Sequence, residues 1–258
     1  DALINALLAV GLDADGAAEA VATWLGADMI SEDDGSIRLG QMGEAWIHRL
    51  PTPAASGGRG EDNVAPIGLL SLFDGTGLAR IAVEEAVRSV AACTLVAAAY
   101  VENDPVLANA VGATWERARQ RCSELVPYQH LARDVWDLLR RGEGRDTTPL
   151  QDFASTLPRG TTVLLTAGSP CQQLTFAGTY KGRQGLCGPD SVLFYAVPVI
   201  AWALQQMRPD IQVQVVLENA ASMTRGHLRA ILVALGCPTE AGHVRTLNAA
   251  TWTAFPRN

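Results

Sequence analysis

Over residues 67–235 the chain alternates between continuous apolar runs and segments with apolar residues at helical spacing. The run at 67–73 reads as a buried strand, 93–101 as a second apolar strand, and 162–167 and 213–217 as further strands. Between them, 78–90, 105–121, 147–157, 191–207 and 223–235 read as helices, with Leu131-Ala132 as a further short apolar element. Strands that alternate with helices of this length predict an α/β fold: a mostly parallel sheet with helices on both faces. Ligands of such a sheet lie at the carboxyl ends of its strands.

Residues 1–50 carry a different pattern. Ile4, Leu7, Leu8 and Val10 suggest a first helix. Asp15 caps a second over 16–25, with Ala20, Val21 and Trp24 on one face. Met29-Ile30-Ser31 and Ser36-Ile37-Arg38-Leu39 flank Glu32-Asp33-Asp34-Gly35, which reads as a β-hairpin turning at Asp34-Gly35. A last helix covers 41–50. Helix, helix, hairpin and helix resemble part of a winged-helix module, which would bind nucleic acid; the alternative is a helical cap or a protein contact. Residues 51–66, rich in Pro, Gly, Ser and Ala, form a linker. The expected organisation is therefore a small helical or winged-helix-like module at 1–50, a linker at 51–66 and a larger domain at 67–258.

Charge sharpens this division. The whole chain of 258 residues has net charge −7, but residues 1–66 hold −8 and residues 67–258 hold +1. The acidic module favours the cap or protein-contact reading, because non-specific DNA affinity depends on neutralising phosphates. The larger domain can still carry a local basic cleft. Lys181 is the one lysine; arginine, which suits fixed bidentate contacts, makes up the other basic residues. With 48% hydrophobic and 18% charged residues, global disorder is excluded. No apolar run has the length of a membrane span, 89–101 being too short. Asp1 is followed by no basic segment of a signal peptide, although one could have been removed. The five cysteines are odd in number and widely spaced, which argues against a disulfide scaffold or structural zinc and for a reducing, intracellular setting.

The candidate chemistry sits after the strands. Ser71-Leu72-Phe73-Asp74-Gly75-Thr76-Gly77-Leu78 takes the chain from a strand through a tight glycine turn into a helix. Gly75 and Gly77 permit close backbone approach and leave amides free for a polar or anionic ligand, although a spaced glycine pair also suits any α/β turn. Glu102, after the second strand, can accept both hydroxyls of a ribose. Asp134 can accept from an exocyclic amine, or simply cap a helix at 135–139. Gly168-Ser169-Pro170-Cys171 ends a strand in a turn that Pro170 constrains. Cys171 there is either a nucleophile or an apolar loop cysteine. The loop at 176–189, with four glycines, Lys181 and Arg183, has the composition to fold over a substrate. Glu218 follows an apolar run and is expected to be partly buried, in need of a donor or a proton. Asn219 would hold neighbouring backbone or the cysteine loop, or cap a helix.

Taken together these segments resemble the catalytic domain of DNA cytosine-5 methyltransferases, in detail the animal de novo DNA methyltransferases. The segment 71–78 resembles their cofactor motif, Glu102 their ribose-binding acid, Asp134-Val135 their adenine contact, Gly168 to Cys171 their proline–cysteine motif, 185–194 the segment after the catalytic loop, and Glu218-Asn219 their glutamate–asparagine motif. The segment 248–258 resembles the start of the arginine-bearing motif, with Arg257 at its first arginine. Order and spacing agree over about residues 67–258.

The resemblance implies a seven-stranded, mostly parallel Rossmann-like sheet, S-adenosylmethionine as cofactor and DNA as partner, with the target base flipped out of the helix. It implies catalytic roles for Cys171, Glu218 and Arg257. Cofactor contacts would come from Phe73, Asp74, Gly75, Thr76, Gly77, Glu102, Asn103, Asp134, Val135, Ser169 and Pro170. Substrate contacts would come from Gln172, Arg183 and Asn219. No metal is implied. The expected compartment is the nucleus in a eukaryote, or the cytoplasm in a bacterium or phage, with no membrane contact.

The sequence departs from the pattern at its carboxyl end. It stops at Asn258, before the motif's second arginine, the final strand, the target-recognition region and the last helix of the family. The expectation is a fragment, or a catalytic fold completed by an extension or a second subunit. Two other functions compete: a tRNA cytosine-5 methyltransferase using the same chemistry, and a regulatory binding subunit. Retention of Cys171, Glu218 and Arg257 argues against the latter. A nicotinamide dehydrogenase fits poorly, since the loop lacks a full GxGxxG.

Overall fold

The computed structural model describes residues 30–33, 36–39, 64–90, 92–171, 174, 186, 190–237 and 244–246. The helices expected at 1–25 and 41–50 lie outside the described residues. The hairpin between them is present: β1 (Ile30–Asp33) pairs antiparallel with β2 (Ser36–Leu39).

The larger domain is built on five parallel strands: β3 (Ala65–Leu72), β4 (Cys93–Val101), β5 (Tyr128–Ala132), β6 (Thr162–Gly168) and β7 (Gln212–Glu218). Their spatial order is β5-β4-β3-β6-β7. The chain starts in the centre, builds outward through β4 and β5, then returns to the other side of β3 for β6 and β7. That reversal places a topological switch point between the carboxyl ends of β3 and β6, where open α/β sheets hold their ligands.

Both faces of β3, β4 and β6 are covered, as their apolar runs require, whereas on β7 Gln212, Gln214, Val216 and Glu218 line an exposed face. On β3, Leu70 and Leu72 face one core and Leu69 the other; on β4, Ala97, Ala99 and Val101 oppose Ala98 and Tyr100. One face packs on α3 (Pro149–Thr156) and α4 (Ala196–Met207), through Leu150, Phe153, Ile200 and Leu204. The other packs on α1 (Leu78–Ser89) and α2 (Pro105–Arg121), through Val83, Ala108 and Val111. A smaller cluster joins α5 (Arg225–Ala234) to Leu174, Leu186 and Phe194. Among the described residues no helix is long and apolar enough to cross a membrane.

Local chemistry sets the boundaries. Asp104 caps α2 by accepting from the amides of Val106 and Leu107, with Pro105 in the first turn. Thr148 and Gln151 form a reciprocal capping box at α3. The helix expected at 191–207 is instead a 3-10 helix, Ser191–Tyr195, leading into α4. Pro198 explains the change: it has no N–H for the carbonyl of Phe194, and its ring crowds that carbonyl, so the preceding turn tightens. The strand expected at 67–73 ends at Leu72 because Phe73 adopts a left-handed φ of 56°. β5 was legible only at Leu131-Ala132. Its exposed Gln129 and His130 break the apolar run, as an outer strand permits.

Candidate functional site

The carboxyl ends of all five strands carry the residues singled out by sequence. The glycine turn follows β3, Glu102 follows β4, and Asp134 lies just beyond β5. Gly168 to Cys171 end and follow β6, and Glu218 and Asn219 end and follow β7.

At the turn, Gly75 and Gly77 have φ of 60° and 77°, the left-handed region that glycine enters without strain. The Gly77 amide donates to the Asp74 carbonyl at 3.2 Å, and the Asp74 amide to Val101 at 3.1 Å, tying the turn to β4. A methyl on Gly75 would meet nothing within 4 Å, so space is open beside the turn. Glu102 is buried, and its two oxygens accept from the amides of Gly75 at 2.7 Å and Asp104 at 2.9 Å. Each carboxylate oxygen keeps further acceptor capacity, so this residue shapes the turn and can still receive hydroxyls.

Several proposed cofactor residues divide between backbone and side-chain roles. Thr76 and Asn103 are exposed in their loops, while Phe73 is half-buried and packs against the main core. Asp74 turns its carboxyl inward: one oxygen accepts from the Ser71 hydroxyl at 2.6 Å and the other is buried without a partner. Burial pushes this carboxyl up from the ordinary aspartate range, opposed by the hydrogen bond from Ser71. Asp134 caps the 3-10 helix Val135–Leu139, accepting from the Trp136 amide at 3.0 Å. The capping alternative is thus realised, with its second oxygen left over. Val135 sends its side chain into the core, so only its backbone faces outward chemistry.

On the other side of the switch point, β6 and β7 pair with Gly168 opposite Glu218. A methyl on Gly168 would lie 3.7 Å from Glu218 Oε2 and 3.8 Å from the Phe73 carbonyl oxygen. The ends of β3, β6 and β7 therefore converge on one small space. Asn219 donates from Nδ2 to the buried Ser169 hydroxyl at 3.1 Å, while its Oδ1 accepts from the Ala220 amide at 2.7 Å. It thus holds the turn two residues before Cys171. Cys171 is half-buried, and its carbonyl accepts from Leu174 at 2.9 Å.

One expectation is corrected here. Glu218 is exposed rather than partly buried, because the alternating β7 is the outermost described strand on its side and places this residue outward at its tip. It needs no buried donor and has no hydrogen-bond partner among the described residues. Gln172, Arg183 and Arg257 lie outside the described residues, as does most of the loop at 176–189. Among the described residues no cluster of three or more His, Cys, Asp or Glu is arranged to hold a metal ion.

Sequence reasoning missed the residues beneath the turn. Arg80 is fully buried, with its guanidinium over the Trp115 ring at 4.9 Å and near the Tyr128 ring at 5.9 Å. Its signal was available: Arg80, Val83 and Val87 are spaced for the buried face of α1. Ser71, three residues before Asp74, carries no signal of its own beyond its place at the end of the strand.

No protein-family model matches the chain, and no curated protein matches it either.

Proposed function

We propose that this chain carries the catalytic fold of a DNA cytosine-5 methyltransferase, using S-adenosylmethionine. The observation that carries the reading is the placement of Cys171 and Glu218 on the same stretch of the sheet's carboxyl edge. β6 ends at Gly168, three residues before Cys171, and pairs in parallel with β7, with Gly168 opposite Glu218, across the switch point from the glycine turn.

The residues fit the cofactor. The turn has two glycines at positive φ, open space beside Gly75 and a buried carboxylate on its amide. Gly75, Gly77, Glu102 and Asp134 would hold the nucleoside, with the backbone near Phe73 and Ser169 alongside. When bound, S-adenosylmethionine supplies an electrophilic methyl group.

The chain's own residues prepare the acceptor. Carbon 5 of cytosine is a poor nucleophile. The Cys171 thiolate bonds to carbon 6, and the electron pair of the 5,6 double bond is pushed toward carbon 5 as Glu218 delivers a proton to ring nitrogen 3. Arg257 is assigned to the exocyclic oxygen, where negative charge collects. After carbon 5 gains the methyl, a water takes the carbon 5 proton, the 5,6 double bond re-forms with release of the Cys171 thiolate, and the proton on ring nitrogen 3 returns to Glu218. Asn219 serves as the positioning residue for the cysteine turn through Ser169. DNA supplies the flipped cytosine, and an extension or second subunit would supply base recognition.

The test is a covalent trap. The chain, supplemented with any completing partner, is incubated with S-adenosylmethionine and duplex DNA containing 5-fluorocytosine. Intact-protein mass spectrometry should show one adduct, absent in Cys171→Ala. Labelling that persists in that variant, or maps to Cys187, would overturn the assignment.

A further inference from the structure

Beneath the glycine turn lies a buried polar cluster that sequence motifs do not account for. Tyr128, the first residue of β5, is 7% exposed, and its hydroxyl has no hydrogen-bond partner of good geometry. That hydroxyl faces the carboxyl of Asp74 and the hydroxyl of Ser71. Asp74 Oδ2 is likewise buried and unpartnered, and a methyl on Gly77 would stand 3.6 Å from it. A phenol is a donor and a carboxylate an acceptor, so one hydrogen bond between them satisfies both buried groups.

The phenol is held in place from every side. Its ring lies 4.6 Å from Tyr100 and 5.8 Å, edge-on, from Trp115. The Arg80 guanidinium covers both Trp115 and Tyr128, bonds to Glu84, and donates to the Val126 carbonyl at 3.1 Å. Arg80 lies three residues beyond Gly77, so it fixes the exit of the turn to the start of β5. Ser71 fixes the entrance by its bond to Asp74.

We infer that Tyr128, braced by Arg80, is a positioning residue that donates to Asp74 and sets the Gly75–Gly77 turn in its ligand-binding shape. The inference deepens the proposed function, since it rests on the turn being the cofactor site. The charged and titratable groups facing Asp74 are Tyr100 of β4, Glu102 just after it and Tyr128 of β5, with Arg80 of α1 against the Tyr128 ring and Glu84 paired with Arg80. Of these, the Tyr128 hydroxyl pulls the Asp74 pKa down and the Glu102 charge pushes it up. Removing the phenol oxygen alone should therefore make Asp74 harder to ionise.

Two measurements on the full chain test this. Carboxyl carbon NMR follows the titration of Asp74, assigned by the resonance lost in Asp74→Asn. Tyr128→Phe should move the Asp74 midpoint upward; an unchanged or lower midpoint overturns the inference. Calorimetry with S-adenosylhomocysteine should show about 10-fold weaker binding by Tyr128→Phe, the scale of one hydrogen bond to a charged group. Unchanged affinity overturns the positioning role. Ser71→Ala, which strips the other donor from the same carboxyl, should move both readouts in the same direction. A wild-type chain that shows the NMR shift on Tyr128→Phe but binds no S-adenosylhomocysteine would support the Tyr128–Asp74 bond and overturn the cofactor assignment instead.

Discussion

The two halves of the sheet's carboxyl edge are built on opposite terms. On the β3–β4–β5 side, polar groups are locked. Glu102 is 6% exposed with both oxygens on backbone amides, Asp74 is held by Ser71, and the turn is bonded to β4. On the β6–β7 side, Cys171 and Glu218 carry no side-chain hydrogen bond among the described residues, and Asn219 supplies one brace at Ser169. A binding surface gains from being fixed before its ligand arrives, because ordering then costs less at binding. The nucleophile and acid proposed at Cys171 and Glu218 would instead have to change bonding partners during a reaction, and a saturated hydrogen-bond shell would oppose that. The contrast therefore matches a division between holding and reacting.

Glu218→Gln should break the contrast most sharply. It keeps the shape of the β7 tip but removes the proton, so turnover should fall by about 10²–10⁴-fold, the usual contribution of a general acid. Affinity for S-adenosylhomocysteine should not change. A rate within about 10-fold of wild type would move Glu218 from the reacting half to the holding half.

Two glycine substitutions sharpen the comparison at intermediate scale. Gly77→Ala would place a side chain at φ 77°, with its methyl 3.2 Å from Val111, and should cost about 2 kcal/mol in urea unfolding. Gly168→Ala meets its neighbours at 3.7 and 3.8 Å, ordinary contact distances. It should leave stability within about 1 kcal/mol of wild type. Yet its methyl stands between Glu218 and the Phe73 carbonyl, so turnover should drop by about 10-fold or more through misplacement of the reacting groups. The reverse pattern, a fragile Gly168→Ala and a tolerant Gly77→Ala, would contradict a locked turn and an open reacting edge.

The smallest expected effect is a pH dependence. Burial raises the Asp74 pKa above its ordinary value of 3.8, so the fold binds this proton more tightly than the unfolded chain does. The stability from that proton is fully present below pH 3.8 and is lost as pH rises through the folded-state pKa. Across this window the stability of wild type relative to Asp74→Asn should fall, then level off. Unfolding curves for both proteins at a series of pH values check the sign; a rising difference would mean that the fold favours the carboxylate.

The sequence was most legible where chemistry is local. The alternation of apolar runs and helical spacing marked four of the five strands. Pro105 marked a helix start, and the positions of Glu102, Cys171 and Glu218 after apolar strands placed the candidate groups on one edge. β5 was obscured because an outer strand tolerates polar residues such as Gln129 and His130.

What the sequence could not determine was burial that depends on neighbours far along the chain. Glu102 and Glu218 both follow apolar residues, and although Gln212 and Gln214 already give β7 an alternating pattern, that pattern does not fix what each carboxylate meets. Strand order does: β4 lies inside the sheet and Glu102 meets the amides of Gly75 and Asp104, whereas β7 lies at one side and leaves Glu218 exposed. Arg80 and Tyr128 are 48 residues apart in number, and they meet only because α1 and β5 cover the same flank of the sheet. Periodicity is a property of neighbouring residues along the chain, so it determined the elements; the electrostatic state of each group depends on what the fold brings against it, and only the tertiary structure decided that.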